Sequence, residues 1–410
     1  MTVVLVSPFV DPEAVGEPRW CYDLAKAISA RTEVVIVAQS PHNRDFSVGD
    51  LFPGVEVIEH SPWNLDFLPS RIDAMAKPNF LRFYPRARAE LKRLIASRRL
   101  RCAHHFGPLG LRFPSPLHGL GLPYVFGPLG GSLPPPPGFS MPRSKQPWFV
   151  RLRSLDSWRW RHDPLLRSSY EDAACLVGVA PYVAQQLSDL RLKRFASRSE
   201  VCARTQPGID EAVAERAARS LPTLRLLSVN RLVPGKGVQF AIAALRRVAP
   251  EIDWALDVVG DGPMRADLEA QARAAGLSEK IRFHGHVPRS AVDDFYRRAD
   301  LFLFPSVQEP SGAVIFEAMG WGLPMIGAAY GGPAQHLRPD YAISVDVASE
   351  DAFVVGLAAA IEDLARSPER RAAMGRAAAS AARNDHSLDA AAEFFVRLYD
   401  EIGLPRSEPK

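Results

Sequence analysis

The sequence predicts an α/β fold of parallel sheets in two domains, and three observations carry that expectation. Short runs rich in Val, Leu and Ile alternate with longer stretches of helical period through most of the chain. The runs are continuously apolar, as strands are when helices cover both faces of a sheet. The length of 410 residues exceeds one ordinary core and suits two domains of roughly 200 residues each.

In order, strands are expected near Val3–Val6, Val34–Val37, Val55–Ile58, Ala103–His105, Tyr124–Phe126, Ala174–Val177 and Glu200–Ala203. A second series falls near Leu224–Val229, Ala255–Val259, Ile281–His284, Leu301–Phe304, Pro324–Ile326 and Ala342–Val345. Between them, Gln206-Pro-Gly-Ile-Asp210 has turn chemistry, Glu211–Leu221 reads as a short polar helix, and Pro222 precedes a fresh strand. The expected domains are therefore 1–205 and 223–385, joined by a linker at 206–222. Residues 386–410 hold a final helix, Leu388–Ile402, behind the cap region Asn384-Asp-His-Ser387. Its stripe of Phe394, Phe395, Leu398, Tyr399 and Ile402 is expected to pack back toward the first domain. Each half is Rossmann-like, and such sheets bind ligands at the carboxyl ends of their strands. A ligand in the cleft between the halves would meet loops from both.

A formal charge of +4 with acids and bases intermixed gives no sign of bulk nucleic-acid binding, and no nucleic-acid partner is expected. Cys21, Cys102, Cys175 and Cys202 lack metal-ligand spacing and read as reduced thiols of a cytoplasmic protein. Met1–Ser7 reads as a first strand rather than a signal peptide. No apolar run approaches the roughly 20 residues that span a bilayer. Two basic stretches bear on location. From Arg82 to Arg101 there are eight Arg or Lys against one Glu, and from Met141 to Arg167 seven against two Asp, interleaved with Trp148, Phe149, Trp158 and Trp160. Both 82–101 and 141–167 suit an anionic membrane surface, which would make the protein peripheral on the inner face; a solvated helix face with buried aromatics is the alternative.

The chemistry concentrates in the second half. Glu309-Pro-Ser-Gly-Ala-Val-Ile-Phe-Glu317 follows the apolar run Leu301–Phe304, so Glu309 belongs in a loop and Glu317 on the second turn of a helix. The free N–H groups at such a helix start attract anions, most often phosphate. Strand Leu224–Val229 ends in Asn230-Arg-Leu-Val-Pro-Gly-Lys-Gly237, placing Arg231 and Lys236 before another helix. A bidentate guanidinium and a point-charge ammonium suit a diphosphate. This is not a Walker A loop, because no Ser or Thr follows the lysine. Val258-Val-Gly-Asp-Gly-Pro263 and Gly285-His286-Val287-Pro288 are further strand-end loops.

These motifs, in this order, resemble the retaining glycosyltransferase family 4, the glycosyl transferases group 1, most strongly over Leu224–Leu337. The resemblance implies the GT-B fold of two facing Rossmann-like domains, an acceptor-binding first domain and a donor-binding second one. It implies transfer of a sugar from a nucleotide-diphosphate sugar to a carbohydrate or lipid-linked acceptor, with retention, without a metal and with no cofactor. On matching positions, Arg231 and Lys236 neutralise the donor diphosphate, Glu317 takes the ribose hydroxyls and Glu309 contacts the donor sugar. Ser311, Gly312 and Ala313 lie near sugar and phosphates, and Gly285, His286 and Val287 hold the base beside the turn at Gly260. The family often has Phe at the place of Ser311 and Leu at that of Ala313, which bears on sugar fit. In the first half the resemblance is looser. Gly16 is the candidate for close approach to phosphate, and either His104 or His105, with His105 favoured, for the donor sugar near its anomeric carbon. Phe126-Gly-Pro-Leu-Gly-Gly131 is expected on the acceptor side, and Pro134–Pro137 as a stiff surface loop. A sugar-nucleotide 2-epimerase of the same architecture and a non-catalytic nucleotide-sugar-binding subunit are the competing functions.

Overall fold

The computed structural model describes residues 1–41, 44–64, 77–131, 133–139, 154–219 and 223–403. Two parallel sheets organise them. The first contains β1 (Thr2–Ser7), β2 (Val34–Gln39), β3 (Glu56–His60), β4 (Leu100–His105), β5 (Tyr124–Leu129), β6 (Cys175–Gly178) and β7 (Phe195–Ser197), in the order β3-β2-β1-β4-β5-β6-β7. The second contains β8 (Thr223–Val229), β9 (Asp253–Val259), β10 (Ile281–Gly285), β11 (Leu301–Phe304), β12 (Met325–Ala328) and β13 (Ala342–Val345), in the order β10-β9-β8-β11-β12-β13. Both have the doubly wound pattern, in which strand order reverses beside the first strand and opens a crevice at its carboxyl end. The switch points are β1/β4 and β8/β11.

The continuous apolar runs are strands because both faces are covered: every residue of β2, β5, β11 and β12 is buried. Helix Val238–Leu245, apolar almost all round, lies in the core, whereas helix Glu17–Ser29 buries one stripe of Trp20, Cys21, Leu24, Ala25 and Ile28. Cys21, Cys102 and Cys175 are buried free thiols, and Cys202 is half-buried.

The chain divides into two compact units, Met1–Gly131 with Leu152–Glu200 and Leu388–Lys410, and Ser132–Arg151 with Val201–Ser387. These bounds differ from the expected 1–205, 206–222 and 223–385 for physical reasons. Glu200–Ala203 is not a strand. The last strand of the first sheet is β7, which pairs with β6, and Ala203 N donates instead to His386 O in the second unit at 2.8 Å. The helix expected within the linker is present, at Ile209–Ala218, but it belongs to the second unit and buries Ile209, Ala212 and Val213. Arg216 of that helix donates to the carbonyls of Gly322 at 2.7 Å and Trp321 at 2.5 Å. The proline run lies at the surface only in part: Pro134 and Pro137 are exposed, but Pro136 is buried. Phe139 beside it packs edge-on against Phe240 and Phe353, at 5.4 and 6.0 Å between ring centroids.

The helix Leu388–Ile402 belongs to the first unit. Phe395, Leu398 and Tyr399 are buried there, and Arg31 pairs with Asp389 at 2.6 Å. The first basic stretch lies mostly on helix Asn79–Ser97, whose other face buries Phe80, Phe83, Ala87, Leu91 and Leu94. Of the second stretch, 141–153 lie outside the described residues. Within the described part, Arg159, Arg161 and Arg167 pair with Asp163, Asp189 and Glu171. Among the described residues no helix is long and apolar enough to cross a membrane.

Candidate active site

The switch point of the second sheet brings the loop after β8 against the loop after β11. The Gly235 carbonyl accepts from Ser306 Oγ and from the backbone N–H groups of Val307 and Gln308, each at 3.1 Å. Gly237 has φ +73°, and a Cβ there would stand 1.9 Å from Pro305 O, so only glycine permits this approach. The stapled loops set Lys236 Nζ on a carboxylate oxygen of Glu309 in an ion pair, both side chains mostly buried. The other Glu309 oxygen faces Ser311 N at 3.5 Å. Arg231, on the same loop as Lys236, is exposed. Gln308 Nε2 donates to Leu133 O at 3.1 Å, which ties the 133–139 segment to this loop.

Gly312, at φ +84°, starts helix Ala313–Gly320 with no side-chain cap. Its first N–H groups are therefore available to an acceptor, and a helix start favours negative charge. Glu317 lies one turn further on. Its two oxygens are held separately, Oε1 by Arg289 Nη1 at 2.5 Å and Oε2 by Tyr296 OH at 2.9 Å. Burial, reinforced by the Glu317 charge, raises the Tyr296 hydroxyl well above the usual phenol range and keeps it a neutral donor. Arg289 and Tyr296 are functional candidates that the sequence reading missed. Arg289 directly follows the Gly285–Pro288 loop and Tyr296 stands seven positions on, which puts both on one helix face, but nothing local names Glu317 as their partner.

The glycine loops pack on the same crevice. A Cβ on Gly260 would lie 1.8 Å from Asn230 O, and Gly260 N donates to Gly285 O at 2.8 Å. Gly260 thus has a packing reason to be glycine whatever it binds. His286 is exposed, and Val287 is half-buried against the apolar core. Among the described residues no group of three His, Cys, Asp or Glu side chains is placed to hold a metal ion.

Gly16 and the two histidines lie in the first unit, at its own switch point. Gly16 (φ +81°) starts helix Glu17–Ser29, and a Cβ there would meet nothing within 4 Å. Glu17 accepts from Leu109 N at 2.6 Å and so ties the β1 and β4 loops together. Alternation sends His104 and His105 to opposite faces of β4, but both rings are wholly buried, so neither stands open as expected. His104 Nε2 donates to Gly127 O at 2.7 Å, and Nδ1 then accepts from Tyr399 OH at 2.6 Å. The His105 ring stacks on Phe126 at 5.0 Å and faces Phe80 at 6.3 Å. Burial pushes each imidazole down to about 3. Neither His105 nitrogen finds a partner within hydrogen-bond geometry, although the Gly107 backbone is near enough to offset part of that shift. Gly127 has a steric reason of its own, since a Cβ would overlap Val177 O at 2.1 Å.

Residues 214–381, which carry the second sheet and its loops, match the family described as Glycosyl transferases group 1. The lipopolysaccharide core biosynthesis glycosyltransferase LpsD of Rhizobium meliloti (strain 1021) is 29% identical over 232 residues, 56% of this chain. The match spans 65% of that relative's length, just under two thirds. Among solved structures, WaaG, a glycosyltransferase involved in lipopolysaccharide biosynthesis, aligns with TM-score 0.54 at 19% identity over 98% of this chain and 99% of its own. Anabaena Alr3699/HepE in complex with UDP aligns with TM-score 0.58 at 15% identity over 98% and 100%. The fold is GT-B: two parallel Rossmann-like sheets with their helices.

Proposed function

We propose that the protein is a retaining glycosyltransferase that moves a sugar from a nucleotide-diphosphate sugar to a carbohydrate or lipid-linked acceptor, without a metal, in bacterial polysaccharide or glycolipid synthesis. The observation that carries this is the Lys236–Glu309 pair beside an uncapped helix start at the β8/β11 switch point. It lies within a segment that matches the group 1 glycosyl transferases. The donor diphosphate takes Lys236, Arg231 and the N–H groups after Gly312. Glu309, released from Lys236, accepts from the sugar hydroxyls, and Glu317 accepts from the ribose.

The C–O bond between the anomeric carbon and the diphosphate breaks with its electron pair going to the diphosphate oxygen. The acceptor hydroxyl adds to the same face of the sugar, and its proton passes to the departing oxygen. Lys236 and Arg231 stabilise the charge that develops there, which is electrostatic catalysis by fixed groups. No step is routed through His105, whose ring is closed off by Phe80 and Phe126.

The first unit takes the acceptor in this reading. Helix Asn79–Ser97 supports a peripheral position on the inner face of the membrane, because it carries Leu81, 69% exposed, together with exposed Arg86, Lys92 and Arg93. Thermal-shift measurements with UDP-, GDP- and ADP-sugars test the donor assignment, UDP first because HepE carries it. A donor at about 100 times its Kd stabilises the folded state by about 2.7 kcal/mol. No shift with any of them overturns the reading. Transfer to acceptor with no epimer formed from donor alone separates it from a 2-epimerase.

A further inference from the structure

Two donors grip Glu317 from a single neighbouring helix, Arg289–Arg298. Arg289 and Tyr296, seven positions apart, are separated by nearly two full turns at 3.6 residues each, so they share a face. Between them on that face, Asp293 Oδ1 accepts from the indole Nε1 of Trp321 at 3.1 Å. Trp321 lies four positions after Glu317 and therefore on the same side of helix Ala313–Gly320. Three side-chain bonds thus lock the two helices along one seam, and two of them end on one carboxylate.

A carboxylate offers about four lone-pair sites over its two oxygens. Arg289 takes one on Oε1 and Tyr296 one on Oε2, which leaves one on each oxygen. Two neighbouring hydroxyls on one ring, presented side by side, match that remainder. A free glutamate would lose side-chain rotamer freedom when it bound such a pair, whereas this one has lost it already. The Glu317 side chain is still 22% exposed, so the remaining sites are reachable.

We infer that Arg289 and Tyr296 are positioning residues that fix the Glu317 carboxylate to receive a vicinal 2′,3′-diol, making the site selective for ribonucleotides over sugars lacking those hydroxyls. The inference rests on the assignment of Glu317 to the donor ribose. It adds that selectivity depends on a helix outside the Glu309–Glu317 motif. Because the Gly285–Pro288 loop runs directly into that helix, the base loop and the ribose acceptor form one mechanical piece.

The test is calorimetric binding of UDP, GDP and ADP to the full chain, then of the 2′,3′-dideoxy form of whichever binds tightest. Wild type is expected to prefer the ribonucleotide by about tenfold or more, as for a site built around hydroxyl hydrogen bonds. Arg289→Gln is expected to lose about fivefold in ribonucleotide affinity, the scale of one solvent-reachable ion pair, with dideoxy affinity unchanged. Tyr296→Phe is expected to act the same way, and Arg289→Lys to recover part of the loss. Unchanged dideoxy binding also shows that each variant is folded. If wild type binds ribo and dideoxy forms equally, or binds neither, the ribose assignment of Glu317 falls and the inference with it. If Glu317→Gln abolishes the preference while Arg289→Gln and Tyr296→Phe keep it, the assignment stands and the positioning role is wrong. Tighter ribonucleotide binding by Arg289→Gln would show Arg289 to be a competitor for Glu317, which also overturns the inference.

Discussion

Lys236 Nζ and the Glu309 carboxylate, 73 positions apart in sequence, form an ion pair where the loops after β8 and β11 meet. Each partner is mostly buried, at 19% and 13% exposure, so each charge relies on the other in the structure. In the proposed function, donor binding replaces this contact with phosphate on one side and sugar hydroxyl on the other.

Lys236→Ala is therefore expected to lower turnover by about 100-fold or more, the usual scale for removing one fixed charge at a transition state. Stability should fall by only about 1–3 kcal/mol, the cost of leaving the buried partner unpaired. Steady-state kinetics with thermal melts on the same preparation check both. Turnover within a few-fold of wild type would remove Lys236 from the chemistry.

Two glycines with similar backbone angles should behave differently. Gly276→Ala, at φ +75° with nothing within 4 Å of the new Cβ, meets only backbone strain of about 1 kcal/mol. Gly237→Ala, at φ +73°, also drives its Cβ to 1.9 Å from Pro305 O and must part the loops after β8 and β11. Thermal melts and nucleotide titration should show the second variant losing more stability and nearly all binding, and the first keeping its binding.

The buried histidines make the first unit acid-sensitive. Each folded-state pKa is depressed to about 3 by burial, while an unfolded histidine titrates near about 6.5. Between those values the unfolded chain binds protons that the folded chain excludes, so stability is full above about pH 6.5 and falls as pH drops. The slope approaches about 1.4 kcal/mol per pH unit for each histidine. His105→Phe keeps an aromatic between Phe80 and Phe126 and removes one titrating group. Its melting temperature should fall less steeply from pH 7 to pH 5 than that of wild type. An identical slope would mean that His105 is protonated in the fold.

Replacing Arg86, Lys92 and Arg93 together by Gln should weaken binding to vesicles containing anionic phosphatidylglycerol by about 100-fold, at about 1 kcal/mol per basic residue near the surface. Cosedimentation measures it. Absence of wild-type binding at low salt would end the membrane assignment.

Much of the fold was legible because burial on both faces writes a strand as an unbroken apolar run, as in Val34–Val37 and Leu301–Phe304. Glu309 and Glu317 were legible because Pro310 and Gly312 mark the loop-to-helix change between them. What escaped depends on partners distant in sequence. Glu200–Ala203 has strand-like residues, but the edge of β6 is taken by Phe195–Ser197. The tie between Leu133 and Gln308 spans 175 positions, so no local pattern could assign the proline run to the second unit. Whether a histidine at the end of β4 is open or sealed depends on Phe80, Phe126 and Tyr399, none of which is adjacent to it in sequence.

The final helix gives the first unit an unusual biography. Tyr399 and Phe395 close over His104 from 295 and 291 positions downstream, so during synthesis the first sheet emerges long before its last covering layer exists. Val201–Ser387, the larger part of the second unit, is made in that interval, so the second unit can finish first. Until Leu388–Ile402 arrives, the side of the sheet that His104 occupies is an uncovered apolar surface on a nascent chain, a natural place for chaperones to hold. A premature stop near residue 387 would then yield a protein with an intact second unit and an adhesive, half-built first one.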